Sequence, residues 1–171
     1  SSFSDMSDPA SIFPATVFLV RHAHAGHREQ FDGDDRYRPL TKRGRAEAVA
    51  IAEMLTARMG DISGAMLMSS PYVRCYQTIE PLSVTLDREI VIDDRLAEGY
   101  DRDGALGLVS TIAHGSVMCS HGDIIPDVLA ALQRRGTEIV GTPDWRKGAT
   151  WVLTRLGDMV ISASAIPPPE S

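Results

Sequence analysis

Cysteine is scarce in this chain of 171 residues, with Cys75 and Cys119 the only two. Two cysteines make no disulfide framework, so the sequence reads as that of a protein from a reducing, cytoplasmic compartment. Long apolar runs are missing too. None approaches the roughly 20 residues a membrane helix needs, which argues against any membrane association of that kind. Positive charge is in deficit, with 17 Lys and Arg against 23 Asp and Glu and a net charge of −6. That balance argues against nonspecific binding to nucleic acid polymers or anionic lipid. The opening segment through Pro14, rich in Ser, Asp and Pro, has no basic stretch followed by an apolar one. It does not read as a secretion signal.

What is present suits one globular domain. Hydrophobic residues make up 43% and charged residues 23%, and a chain of this length buries a core without staples. The expected domain runs from 16 to 166, with flexible segments at 1–15 and 167–171. Charge is unevenly spread within it. Residues 21–45 carry seven Lys and Arg against four acids, a local +3, which leaves about −9 for the rest. A basic stretch in an acidic protein suits a small anionic ligand in a pocket.

Thr16–Val20 is a short β-rich apolar run of the kind found in a buried strand. Thr41 is placed to cap a helix whose Ala48, Ile51, Leu55 and Met59 share a face, with Gly60 ending it. Ala65–Met68 reads as a second strand, and Ser70-Pro71 as the start of a helix that Pro81 kinks or interrupts near Glu80. Glu89–Ile92 reads as a short strand. A polar loop from Asp93 to Gly104 and a short helix ending near His114 follow. Val117–Cys119 is a third buried strand, leading into a helix over 123–135 for which Asp123 is a candidate cap. Thr150–Thr154 and Met159–Ser162 pair as a hairpin. Strands alternating with helices predict an α/β protein, a three-layer α/β/α sandwich with a mostly parallel sheet.

Ligands in open α/β sheets sit beyond the carboxyl ends of the strands. Three such ends carry distinctive residues: Arg21-His22, Arg74 and His121. Two imidazoles with two guanidiniums suit phosphoryl transfer. A neutral imidazole attacks phosphorus, and guanidiniums bind the phosphoryl oxygens with paired hydrogen bonds. The spacing His22-x-His24-x-x-His27, with Asp34 or Asp35, invites a metal-binding reading instead, but that leaves Arg21 and Arg74 unexplained. A catalytically silent phosphate-binding module is the other alternative.

Four motifs in order resemble those of the histidine phosphatase superfamily, in its phosphoglycerate-mutase-like branch. They are Val20-Arg21-His22-Ala23, the segment Leu40–Ala48, Ser69-Ser70-Pro71-Tyr72-Val73-Arg74-Cys75-Tyr76-Gln77-Thr78, and Ser120-His121-Gly122. In detail the Arg21-His22-Ala23 start, Gly33-Asp34-Asp35, Arg38-Pro39-Leu40 and Lys147-Gly148-Ala149-Thr150-Trp151 are most similar to the phosphatase half of Nudix–histidine phosphatase fusions, and SixA-type phosphohistidine phosphatases are a second relative. The resemblance implies the phosphoglycerate mutase-like fold and metal-independent hydrolysis through a phosphohistidine intermediate, with no cofactor. His22 is then the nucleophile, His121 its catalytic partner and Glu98 the proton donor, with Asp123 the rival acid. Arg21 and Arg74 bind phosphate, and Arg28, standing where the family has an asparagine, adds a further phosphate contact. The implied substrate is a small phosphorylated metabolite or nucleotide. A phosphohistidine protein or a mutase-type phosphotransfer is the alternative. Ala23 replaces the usual glycine, and no Nudix box is present.

Overall fold

The sheet is built from strands that alternate their side chains between two apolar layers. The computed structural model describes residues 13–170. Residues 1–12 and 171, which hold most of the expected N-terminal segment and the end of the tail, lie outside the described residues. The strands are β1 (Ala15–Arg21), β2 (Leu67–Ser69), β3 (Ile90–Ile92), β4 (Val117–Ser120), β5 (Glu138–Val140), β6 (Thr150–Leu156) and β7 (Met159–Ile166). The helices are α1 (Lys42–Arg58), α2 (Val73–Leu86), α3 (Arg102–Thr111) and α4 (Ile124–Arg134). Short 3-10 turns occupy Arg28–Gln30, Asp35–Tyr37 and Asp94–Leu96.

Successive residues of a strand point to opposite faces. Val17 and Leu19 of β1 join Met68, Met118, Trp151 and residues of α3 and α4 in one core layer. Phe18 and Val20 join Leu67, Val117 and residues of α1 and α2 in the other. Both faces of the central strands are covered, which gives the expected three-layer sandwich.

The seven strands run in the order β3-β2-β4-β1-β6-β7-β5. The β3-β2, β2-β4 and β4-β1 pairs are parallel. The sheet is mixed beyond them, because β6 runs antiparallel to both β1 and β7 while β5 is parallel to β7. The expected hairpin is therefore present and longer than its sequence limits.

Local chemistry sets the helix limits. Thr41 caps α1 by accepting the Gly44 N–H on its hydroxyl at 3.1 Å. The expected start of α2 at Ser70-Pro71 needs correction, since the helix begins at Val73 with Tyr72 at the cap position. Ser70 spends its hydroxyl on Tyr72 N and on His121 instead. Nor does Pro81 interrupt α2, which continues through it to Leu86. Asp123 takes the cap position of α4 without bonding the helix, because its carboxylate is used elsewhere.

Candidate active site

The β1-β4 register pairs Arg21 with Ser120, and that of β2-β4 pairs Ser69 with Cys119. Two bonds just past those pairs extend the alignment. His22 N donates to Ser120 O and Ser70 N to Cys119 O, each at 3.1 Å. Residues His22, His121 and Ser70, each one step beyond a strand end, are thereby set side by side.

His22 is 4% exposed, and its Nδ1 lies 2.8 Å from the Ala23 carbonyl oxygen. A carbonyl only accepts, so Nδ1 carries the hydrogen and Nε2 keeps a free lone pair. Burial holds the ring's pKa well below its ordinary value. The Ala23 bond works the other way, and nearby His121, Arg74 and Arg21 lower it further. A neutral imidazole with a fixed tautomer results.

His121, 1% exposed, sits with its ring centroid 5.5 Å from that of His22. Its Nε2 is 2.8 Å from Ser70 Oγ, which also accepts the Tyr72 N–H. With Ser70 donating to Nε2, the hydrogen of His121 falls on Nδ1. That nitrogen is buried without a hydrogen-bond partner, 3.8 Å from Glu98 Oε1. The Tyr72 ring packs edge-on against His121 at 4.7 Å and beneath the Arg74 guanidinium at 4.8 Å.

Arg74 is fully buried in the first turn of α2. One of its terminal nitrogens donates to the Asp35 carbonyl at 2.9 Å, and the other meets Glu98 Oε1 and Asp35 Oδ2, each at 3.1 Å. Asp35, from the Gly33-Asp34-Asp35 segment, is the hub of this arginine cluster. Besides Arg74 it holds Arg38 Nε at 2.8 Å and Arg28 Nε at 3.3 Å. Arg38, to which the sequence assigns no role beyond its motif, is buried and ties the loop after β1 by donating to Ala25 O at 2.6 Å. The recurrence of arginines through 28–38 was the available signal.

Arg21 donates to the Trp145 carbonyl at 2.7 Å, and its guanidinium lies against Gly122. A β-carbon at Gly122 would stand 2.5 Å from Arg21 Cζ, which explains the glycine after His121. Arg28 is placed on the rim, with a side chain 60% exposed that pairs with Glu98 Oε2 at 2.6 Å. Glu98 thus accepts from two arginines. Asp123 Oδ2 accepts the Gly99 N–H at 2.8 Å, so it anchors the loop that carries Glu98.

The remaining motif residues hold this framework in place. Thr78 Oγ1 accepts the Ala23 N–H at 3.0 Å and donates to Arg74 O at 2.6 Å. Gln77 Oε1 accepts the Leu40 N–H at 2.8 Å. Gly44 lets α1 touch the His24 backbone, because a β-carbon there would come within 2.0 Å of the His24 oxygen. A cleft of about 410 Å³ opens over these groups, with Arg21, His22, Arg74, Glu98 and Lys147 among its walls.

Such a cleft brings together a neutral imidazole nitrogen, guanidinium groups and a carboxylate at its mouth, a set suited to binding a phosphoryl group. The three histidines of the metal-binding reading do not converge. His22 bonds Ala23 and His24 bonds Thr41, and among the described residues no group of three or more His, Cys, Asp or Glu could hold a metal ion. Cys75 and Cys119 are core residues as expected. Cys75 Sγ lies 3.5 Å from His121 Nε2.

Known proteins match this arrangement. Residues 17–102 match the Histidine phosphatase superfamily (branch 1). An 8-oxo-(d)GTP phosphatase of Mycolicibacterium smegmatis is 37% identical over 161 residues, covering 91% of this chain and 49% of that protein. The chain thus spans about half the length of that relative. Among solved structures, the protein histidine phosphatase SixA complexed with tungstate superposes with a TM-score of 0.68 at 20% identity, over 88% of this chain and 94% of that one. A mycobacterial glucosyl-3-phosphoglycerate phosphatase with inorganic phosphate gives 0.60 at 17% identity, over 92% and 98%. At such identities the likeness is one of fold. No described helix is long and apolar enough to cross a membrane.

Proposed function

The chain belongs to the histidine phosphatase superfamily, branch 1, and from that premise we propose that it hydrolyses small phosphorylated metabolites or nucleotides through a phosphoryl group carried on His22. The observation that carries this reading is the bond from His22 Nδ1 to the Ala23 carbonyl at 2.8 Å, which leaves Nε2 as the free nucleophile.

In the first step Nε2 attacks phosphorus and the bond to the leaving oxygen breaks. Arg21, Arg74 and the Nδ1–H of His121 bind the equatorial oxygens as charge redistributes. The leaving oxygen takes a proton from Glu98. In the second step water attacks the phosphohistidine, the P–N bond returns its electron pair to Nε2, and Glu98 takes the proton from water. Inorganic phosphate leaves.

Nucleotides enter as substrate candidates through the 37% identity to the 8-oxo-(d)GTP phosphatase. A turnover screen over phosphorylated metabolites, nucleotides and a phosphohistidine protein tests the assignment. Release of phosphate from small molecules, abolished in His22→Ala, is expected. Turnover of the phosphohistidine protein alone would replace this reading with the protein-phosphatase one.

A further inference from the structure

A second cleft, of about 670 Å³, adjoins the first and shares Arg21 and Lys147 with it. Both lie at the same sheet edge, because Thr150 at the start of β6 pairs with Val20 of β1 and with Ile166 at the end of β7. Arg43 from the first turn of α1, Arg146, and the segment Pro168–Glu170 after β7 form its other walls.

The charges in this cleft do not balance. Arg21, Arg43, Arg146 and Lys147 face two carboxylates, Glu47 and Glu170, and with Asp144 counted against Arg146 a surplus of one positive charge remains (4 − 3). Glu47 is buried and engaged, accepting the His24 N–H at 3.0 Å. Arg146 is paired at 2.6 Å with Asp144, outside the lining. Arg43 and Lys147 have no ion pair among the described residues. Lys147 is held between clefts by Gly148, whose N–H reaches the Arg21 and His22 carbonyls, both at 3.1 Å. Gly148 has φ +84° and meets Pro168 on its open side, so the loop's course is fixed. Burial, then the guanidiniums of Arg21, Arg38, Arg74 and Arg43, press the Lys147 ammonium below its ordinary pKa. Lys147 and Arg21 are half-buried while Arg43 and Arg146 are exposed at the mouth, and an anion that bridges Lys147 to Arg43 supplies the counter-charge that neither has.

We propose that this second cleft binds a second phosphate on the leaving group, so that the preferred substrates carry two phosphates. One is transferred to His22, and the other lies between Arg43, Arg146 and Lys147. The proposal rests on the phosphatase reading above and narrows its substrate class. Two sources share the chemistry, a diphosphate chain and a bisphosphate with its groups on separate carbons.

The test compares inhibition by inorganic pyrophosphate and orthophosphate, with p-nitrophenyl phosphate as the reporter. Pyrophosphate should inhibit the wild-type protein at a concentration about tenfold lower or better, and Arg43→Ala should remove most of that advantage. In the substrate arms, the ratio of kcat/KM for two-phosphate over one-phosphate substrates should fall by about tenfold in Arg43→Ala. A nucleoside diphosphate and a sugar bisphosphate are the two probes, and the one whose ratio falls identifies the source. Equal inhibition by the two anions in the wild-type protein, or an advantage that survives in Arg43→Glu, overturns the proposal. Absent turnover of any phosphate ester would instead count against the phosphatase reading. Pyrophosphate binding followed by calorimetry still decides the cleft in that case.

Discussion

Asp123 accepts the Gly99 N–H on its Oδ2 at 2.8 Å, and Gly99 directly follows Glu98. The two candidate acids are therefore one mechanical unit, in which Asp123 holds the loop of Glu98 and both line the cleft. Leaving groups of different basicity separate their roles. An alkoxide needs a proton as its bond to phosphorus breaks, whereas p-nitrophenolate departs almost unaided. Glu98→Gln should slow alkyl phosphate hydrolysis by about 10²-fold or more while sparing p-nitrophenyl phosphate. Asp123→Asn should reduce both by similar factors, since it loosens the loop. Selective loss on alkyl phosphates in Asp123→Asn would make Asp123 the acid.

Arg74 presents its guanidinium fully buried, oriented by the Asp35 carbonyl and carboxylate. Its two terminal nitrogens suit the equatorial oxygens of the transition state better than a single ammonium does. Arg74→Lys should lower kcat by a factor on the order of 10². Steady-state kinetics check this, and a raised KM with unchanged kcat would mean ordinary substrate binding.

Gly122 and Gly44 should respond differently to the same substitution. The β-carbon of Gly122→Ala meets the far end of the Arg21 side chain, which can swing aside, so the protein should fold normally and lose activity. At Gly44 the clash is with the His24 backbone, which has no such freedom. Gly44→Ala should cost stability as well, on the order of 1–3 kcal/mol for forced overpacking. Thermal melts alongside activity assays distinguish the two outcomes.

These contrasts also mark what the sequence discloses. The strand ends at Arg21-His22 and Ser120-His121 were legible because β1 and β4 are apolar runs that stop abruptly at polar residues. Asp35 was not, since its role appears only when Arg28, Arg38 and Arg74 converge on it from separate segments. The start of α2 was misplaced because Ser70 looks like a helix cap until His121 is known to compete for its hydroxyl. β5 escaped notice because Glu138–Val140 is short and largely exposed at the sheet edge, with no apolar run to announce it.

The buried His22 ring should titrate well below its ordinary pKa of 6.5. Protonation would consume the Nε2 lone pair, so activity contributed by this group is present at neutral pH and lost as pH falls through the depressed value. Nitrogen-15 NMR of the ring should report a neutral Nδ1–H tautomer at pH 6.5. An imidazolium there would contradict the geometry at Ala23.

The most direct test of the account is chemical identification of the intermediate. Protein mixed with substrate should be quenched rapidly without acid, because phosphohistidine is acid-labile, and digested for mass spectrometry. The account predicts a phosphoryl group on His22, absent in His22→Ala, formed and lost at rates that match turnover. Full turnover with no phosphate on His22, or substantial turnover by His22→Ala, would contradict it.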